Sequence, residues 1–128
     1  MKINKVDDLE IWRLAKDLAV QIYKITDNKS FQRDFGFRDQ IRRAAVSIPS
    51  NIAEGFGRSN NNEFIRYLLI SKGSCLEVQT QLIIAFEIGY IQKDKLIDLQ
   101  DKYKLLTDMI SKFISYLIKN KRMRLHNK

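Results

Sequence analysis

Apolar positions along this chain recur at intervals of three and four residues in four long segments, the period of helices that each bury one face. From Asp8 to Asp27, Ile11, Leu14, Leu18, Ile22 and Ile25 share a face with Trp12, Ala15, Ala19 and Tyr23 beside it, and Asp7 or Asp8 stands where an N-cap belongs. The stretch DNKSFQRDFG then breaks the period and reads as a loop with room for one short helical turn, with Phe31 and Phe35 pinning it to the rest. In the second helix, ending in the segment Arg38 to Arg58, Phe37, Ile41, Ala44, Ala45, Ile48, Ile52 and Phe56 fall within an arc of roughly 120°. Beside that arc Gln40, Arg43, Ser47, Ser50, Asn51 and Glu54 form a polar stripe about 100° wide, and Gly55 and Gly57 end the helix. Pro49 lies in its middle, where a missing N–H and a ring clash cost about 3 kcal/mol, so neighbours are expected to hold this helix.

Asn60 followed by Glu63 marks the start of a third helix, which runs to Ile88 and stops at Gly89. Its core arc holds Phe64, Leu68, Ser71, Cys75, Val78, Leu82 and Phe86. A second stripe, Ile65, Leu69, Leu76 and Ile83, lies about 100° round, with Ile70 and Ile84 on a further side. Apolar residues over most of a circumference mean burial on more than one side, and a helix of a four-helix monomer keeps one side in water. The second stripe is therefore expected to form a subunit interface. The fourth helix, about Asp94 to Lys119, carries Leu96, Leu99, Tyr103, Leu106, Ile110, Phe113 and Leu117 at alternating spacings of three and four, a seam suited to near-parallel packing. Ile97, Leu105, Met109, Ile114 and Ile118 flank that seam. The fold class expected is all-α, an antiparallel up-down four-helix bundle over residues 1–118, followed by a basic tail at 119–128.

Composition narrows the function more than the fold. The chain has 128 residues, the size of one domain, and its single proline and five glycines leave little room for the turns of an all-β fold. One cysteine, Cys75, and one histidine, His126 in the tail, remove a disulfide framework, structural zinc and a Cys/His nucleophile pair from consideration. The longest apolar run, Leu82 to Phe86, is far short of a membrane span, and MKINKVDDLE has acidic residues where a signal peptide is apolar, so a cytoplasmic protein without a membrane partner is expected. The net charge is +8, a balance that attracts polyanions. Five basic residues and no acidic ones fall in the last ten positions: Lys119, Lys121, Arg122, Arg124 and Lys128.

Two blocks, SIPSNIAEGFGR and EFIRYLLISKGSCLE, resemble the four-helix-bundle proteins encoded in intervening sequences of bacterial 23S rRNA genes, and helix-sized segments around them extend the resemblance from about Leu9 to Leu117. The resemblance implies an antiparallel four-helix bundle, often a homopentamer, with no established catalytic activity. Related bundles, the accessory proteins of diversity-generating retroelements, form basic pentamers that engage nucleic acid and a reverse transcriptase.

Each candidate for chemistry has a plainer structural reading. Glu54 and Glu77 could act as an acid and base pair if one of them held a raised pKa. Without a histidine, nucleophile or di-iron ExxH arrangement, they read instead as members of a structural polar network with Arg43, Ser47, Asn51 and Ser74, and Gln81 is a further possible neighbour. GFGRS could cradle a phosphate, with Arg58 assisting, but it matches no complete nucleotide motif and reads as a C-cap and tight turn. The run from Lys72 to Cys75 puts small residues mid-helix, which suggests a close helix approach, with Cys75 a small core filler. Arg33, Arg38, Arg42 and Arg43, with Arg58 and the tail, form the basic surface, and binding through it is expected to be mainly to phosphates. The expectation is thus a non-catalytic, cofactor-free homo-oligomer that binds RNA or DNA as an accessory or scaffold protein. The alternative is a protein-interaction module with no direct nucleic-acid contact.

Overall fold

The structure, a computed structural model, describes residues 3–120. After a 3₁₀ turn at Val6–Asp8 come α1 (Glu10–Ile25), the short α2 (Lys29–Arg33), α3 (Phe35–Phe56), α4 (Asn61–Glu87) and α5 (Lys93–Lys119). The four long helices form an up-down bundle in the circular order α1, α3, α4, α5, so that α1 also packs on α5. The core consists of the arcs read from the sequence: Leu18 and Ile22 from α1, Ile41, Ile48 and Ile52 from α3, Leu68, Val78 and Leu82 from α4, and Leu99, Tyr103, Leu106 and Ile110 from α5 are fully enclosed. Leu96 and Phe113 complete the α5 seam at its margins.

Local signals set the helix ends, with some differences from the expected residues. The Asn60 side chain accepts from Glu63 N at 2.8 Å and starts α4. Glu63 turns its own carboxylate to Arg66 Nε at 3.3 Å. Neither Asp7 nor Asp8 caps α1, whose N-cap is Leu9 without a side-chain bond. Asp8 instead closes the preceding turn by accepting from Asn4 N and Lys5 N. The third helix, α3, begins at Phe35, because Asp34 accepts from Phe37 N at 3.2 Å and caps it there. This start places Phe35 in solvent at 64% exposure, so Phe35 does not pin the loop. Phe37 does that with the buried Phe31, the two rings stacked 5.6 Å apart. A positive φ of 82° at Gly89, natural only for glycine, ends the α4 turn.

Pro49 sits inside an unbroken α3. One turn of α4 secures that point: the buried Ser71 Oγ donates to Ile48 O at 2.9 Å. Gly55 is buried inside α3, not left-handed at a cap, and a Cβ there would lie 2.7 Å from Tyr67 Cβ and 2.9 Å from Phe64 Cδ1. The glycine is required because α3 and α4 touch at this point. Gly57, the C-cap, has an ordinary φ of −72°. At Gly73 a Cβ would meet nothing within 4 Å, so the small residue there does not mark a close approach, while its neighbour Ser74 does face α3.

Candidate functional site

Where α3 meets α4, an open groove of about 410 Å³ is lined by Gly36, Asp39, Gln40, Arg43, Ala44, Ser47, Ser74 and Glu77. Its inner wall is the hydrogen-bonded part of the polar stripe. Ser47 Oγ and Ser74 Oγ are 3.0 Å apart, and Asn51 Nδ2 donates to Ser47 O at 2.9 Å and to Ser47 Oγ at 3.0 Å. The remaining members of the expected network stand outside it. Glu54 is exposed and pairs with Arg58 one turn on, at 2.8 Å, rather than with Arg43, Asn51 or Glu77. Glu77 is also exposed, and its nearest polar partner is Gln81 Nε2 at 3.5 Å. Arg43 lines the groove with its side chain in water. The physical reason is rotation. A stripe about 100° wide on a helix has one edge toward the neighbour and one toward solvent, and Ser47 and Asn51 occupy the inner edge. The two carboxylates therefore do not form a coupled acid-base pair, and among the described residues no group of three or more His, Cys, Asp or Glu is placed to hold a metal ion.

The arginines divide in a way the sequence does not disclose. Arg42 donates from Nε to Thr26 Oγ1 at 2.8 Å and from a terminal nitrogen to Tyr23 O at 3.3 Å, with its guanidinium 4.5 Å from the Tyr23 ring. It closes the C-terminus of α1, satisfying a terminal carbonyl and complementing the helix dipole. Arg58 bonds Glu54 and donates to Tyr67 Oη at 2.8 Å. Arg58 and Arg66 each stand 5.2 Å from the Tyr67 ring, a cluster that joins the end of α3 to α4 and that no local spacing in the sequence indicates. Arg38 is largely covered and stacks 4.9 Å from the Phe35 ring, while its Nε, 3.5 Å from Asp39 Oδ1, makes no hydrogen bond. Lys119 is the exposed last residue of α5. Lys121, Arg122 and Arg124 lie outside the described residues.

Two buried groups with shifted titration are part of the core rather than of a site. Burial pushes the Cys75 thiol up to about 11, partly offset by a hydrogen bond to Thr107, so the nucleophilic thiolate is disfavoured. Burial, with the nearby Cys75 adding to it, raises the Tyr103 hydroxyl well above the ordinary tyrosine range.

The stripe expected at an interface is mostly solvent-facing. Leu69 is 53% exposed and Leu76 55%, with Ile83 exposed in line with them, while Ile65 packs partly against the core. Of the residues flanking the α5 seam, Ile97, Leu105 and Ile118 are exposed and Ile114 is buried. Among the described residues no helix is long and apolar enough to cross a membrane.

Comparison with known proteins agrees with this architecture. A protein of unknown function from the S23 ribosomal protein family of Bacteroides thetaiotaomicron has a solved structure that superposes with a TM-score of 0.74 at 23% sequence identity, over 81% of this chain and 97% of that one. No curated protein matches the sequence. The sequence model of the family described as 23S rRNA-intervening sequence protein matches residues 7–112, so this chain belongs to that family.

Proposed function

We propose that the protein is a non-catalytic, self-associating four-helix bundle that binds RNA or DNA through phosphate contacts and serves as an accessory or scaffold. The observation that carries this reading is the charge: +8 overall, with a C-terminal run of five basic residues unaccompanied by acidic ones. Arg43 and Lys119 reach solvent without an acidic partner among the described residues and supply phosphate contacts from the bundle itself. Arg42 and Arg58 contribute charge but are engaged within the chain, so they are not expected to carry binding by direct contact. The family description, which refers to an intervening sequence of 23S rRNA, is compatible with an RNA-associated role.

A titration of labelled RNA and duplex DNA at several salt concentrations tests this reading. Each neutralised phosphate adds about −0.9 to the slope of log K against log salt on duplex DNA, so binding is steeply salt-dependent and weakly sequence-dependent. Removal of residues 120–128 lowers affinity and flattens the slope. Absence of binding at low salt refutes the proposal.

The exposed stripe Leu69, Leu76 and Ile83 favours a second reading, a protein-interaction module. In the first reading the same stripe joins copies of this chain, for which the resemblance suggests a pentamer. The mass of the purified protein distinguishes the two.

A further inference from the structure

The outer faces of α1 and of the first turns of α3 carry aromatic rings, each next to a basic side chain. Phe35, Arg38 and Arg42 follow one another at intervals of three and four residues, so they share one face of α3. Arg42 reaches across to α1 and fixes the Tyr23 ring at 4.5 Å, and Arg38 lies 4.9 Å from the Phe35 ring. Both rings remain open, Phe35 at 64% exposure and Tyr23 at 44%. Three turns back along α1 on the same face, about 16 Å away, Trp12 has the Lys16 ammonium 5.7 Å from its ring. Three cation-ring contacts thus involve α1 and the first turns of α3, and none of them involves the apolar stripe of α4.

We infer that this α1/α3 edge is a stacking platform for unpaired nucleotides, with Phe35 and Tyr23 taking bases and the adjoining arginines and Lys16 supplying positive potential to the backbone. The inference rests on the nucleic-acid reading above and narrows it to single strands. Charge complementarity selects the occupant: an apolar protein segment would leave Arg42, which has no carboxylate partner among the described residues, without counter-charge, whereas a single strand presents both π-faces and phosphates. A duplex presents phosphates but keeps its bases stacked internally, so it gains nothing from Phe35 or Tyr23. The arginines hold the rings in place before binding, which lowers the ordering penalty on association. Asp39, 3.5 Å from Arg38, and Asp17, 3.2 Å from Lys16, each reduce the local charge, and Arg42 carries most of what remains.

The test compares an oligouridylate with a blunt-ended, two-stranded RNA duplex of equal phosphate number, using full-length protein, Phe35→Ala, Tyr23→Leu and Tyr23→Phe. The single strand is expected to bind more tightly and to quench the emission of Trp12, the one tryptophan in the chain. Phe35→Ala and Tyr23→Leu each weaken single-strand binding by about tenfold or more, leave duplex binding unchanged and leave the salt slope unchanged, since no phosphate contact is removed. Tyr23→Phe keeps the ring and retains affinity. Circular dichroism of the exposed-site variant Phe35→Ala is expected to match the parent, which separates loss of stacking from loss of fold. Equal binding of strand and duplex, unaffected by the ring variants, overturns the platform and leaves the phosphate reading standing. Absence of binding to either RNA overturns both. A change in particle mass on Phe35→Ala overturns the platform in favour of a second copy of the chain covering this edge.

Discussion

Tyr90 donates its hydroxyl to Asp34 Oδ2 at 2.8 Å, while Asp34 Oδ1 accepts from Phe37 N, so one carboxylate both caps α3 and ties down the turn after α4. Phe31 packs edge-on against the Tyr90 ring at 5.0 Å, and Asn28 Nδ2 donates to Tyr90 O at 3.0 Å. This end of the bundle is held across a sequence distance of 56 residues. Loss of an N-cap side chain typically costs about 1 kcal/mol, and Asp34→Ala also strands the Tyr90 hydroxyl. The variant is expected to melt several degrees below the parent, and Tyr90→Phe by a smaller margin.

The same contact has a pH signature. The hydrogen bond to Asp34, with smaller contributions from burial and the carboxylate charge, raises the Tyr90 hydroxyl above its ordinary value of 10.0. The protonated form is favoured in the fold, so its contribution is complete below about pH 10 and is lost as pH rises through the higher folded value. The stability difference between parent and Tyr90→Phe is expected to shrink in urea melts above pH 10. A constant difference across that range would contradict the assignment.

Cys75 is expected to resist a thiol reagent at pH 8 in the folded protein and to react fully once urea unfolds it, because its folded value is raised to about 11 by burial. Its protonated form adds stability below about pH 9 that is lost toward pH 11. Beside it, the Tyr103 hydroxyl is buried without a hydrogen-bond partner among the described residues. Removing an unsatisfied hydroxyl relieves its desolvation penalty, so Tyr103→Phe should melt at or above the parent temperature. A large loss of stability would show that the hydroxyl has a partner.

Two glycines give opposite outcomes. Gly55→Ala puts a methyl group 2.7 Å from Tyr67 Cβ and forces α3 and α4 apart, with an expected loss of about 1–3 kcal/mol. Gly73→Ala, where a Cβ meets open space in the middle of α4, is expected to stabilise by about 0.4–1 kcal/mol through helix propensity and the reduced entropy of the unfolded chain. Chemical denaturation of both variants checks the signs. Glu54→Ala, which removes only an exposed i,i+4 pair with Arg58, should change stability by about 0.5 kcal/mol or less.

Leu69 and Leu76 present an apolar stripe to solvent at heptad spacing. Light scattering should give a mass several times 15.1 kDa, and Leu76→Lys should reduce that mass while retaining helical content. A monodisperse parent monomer at micromolar concentration would refute self-association through this face.

The sequence by itself determined the number of long helices, their core arcs and most of their ends. These depend on 3.6-residue periodicity and on caps such as Asn60 and Gly89, all set by neighbours within a few positions. Leu99, Tyr103, Leu106, Ile110 and Leu117 of the α5 seam and the Phe64 to Leu82 arc are buried for that reason. Tertiary structure alone decided which edge of each polar stripe meets a neighbour. Ser47 turned inward to Ser74, with Asn51 bonded to Ser47, while Glu54 and Arg43 turned to water, a difference of a fraction of a helical turn that the stripe itself does not encode. It also decided that Arg42 closes α1 through Thr26, that Arg58 rests on Tyr67, and that Phe35 stands in solvent where Phe37 packs. Each of these depends on how two helices are rotated against one another, and that rotation is fixed by the packing of the whole core rather than by any local stretch of chain.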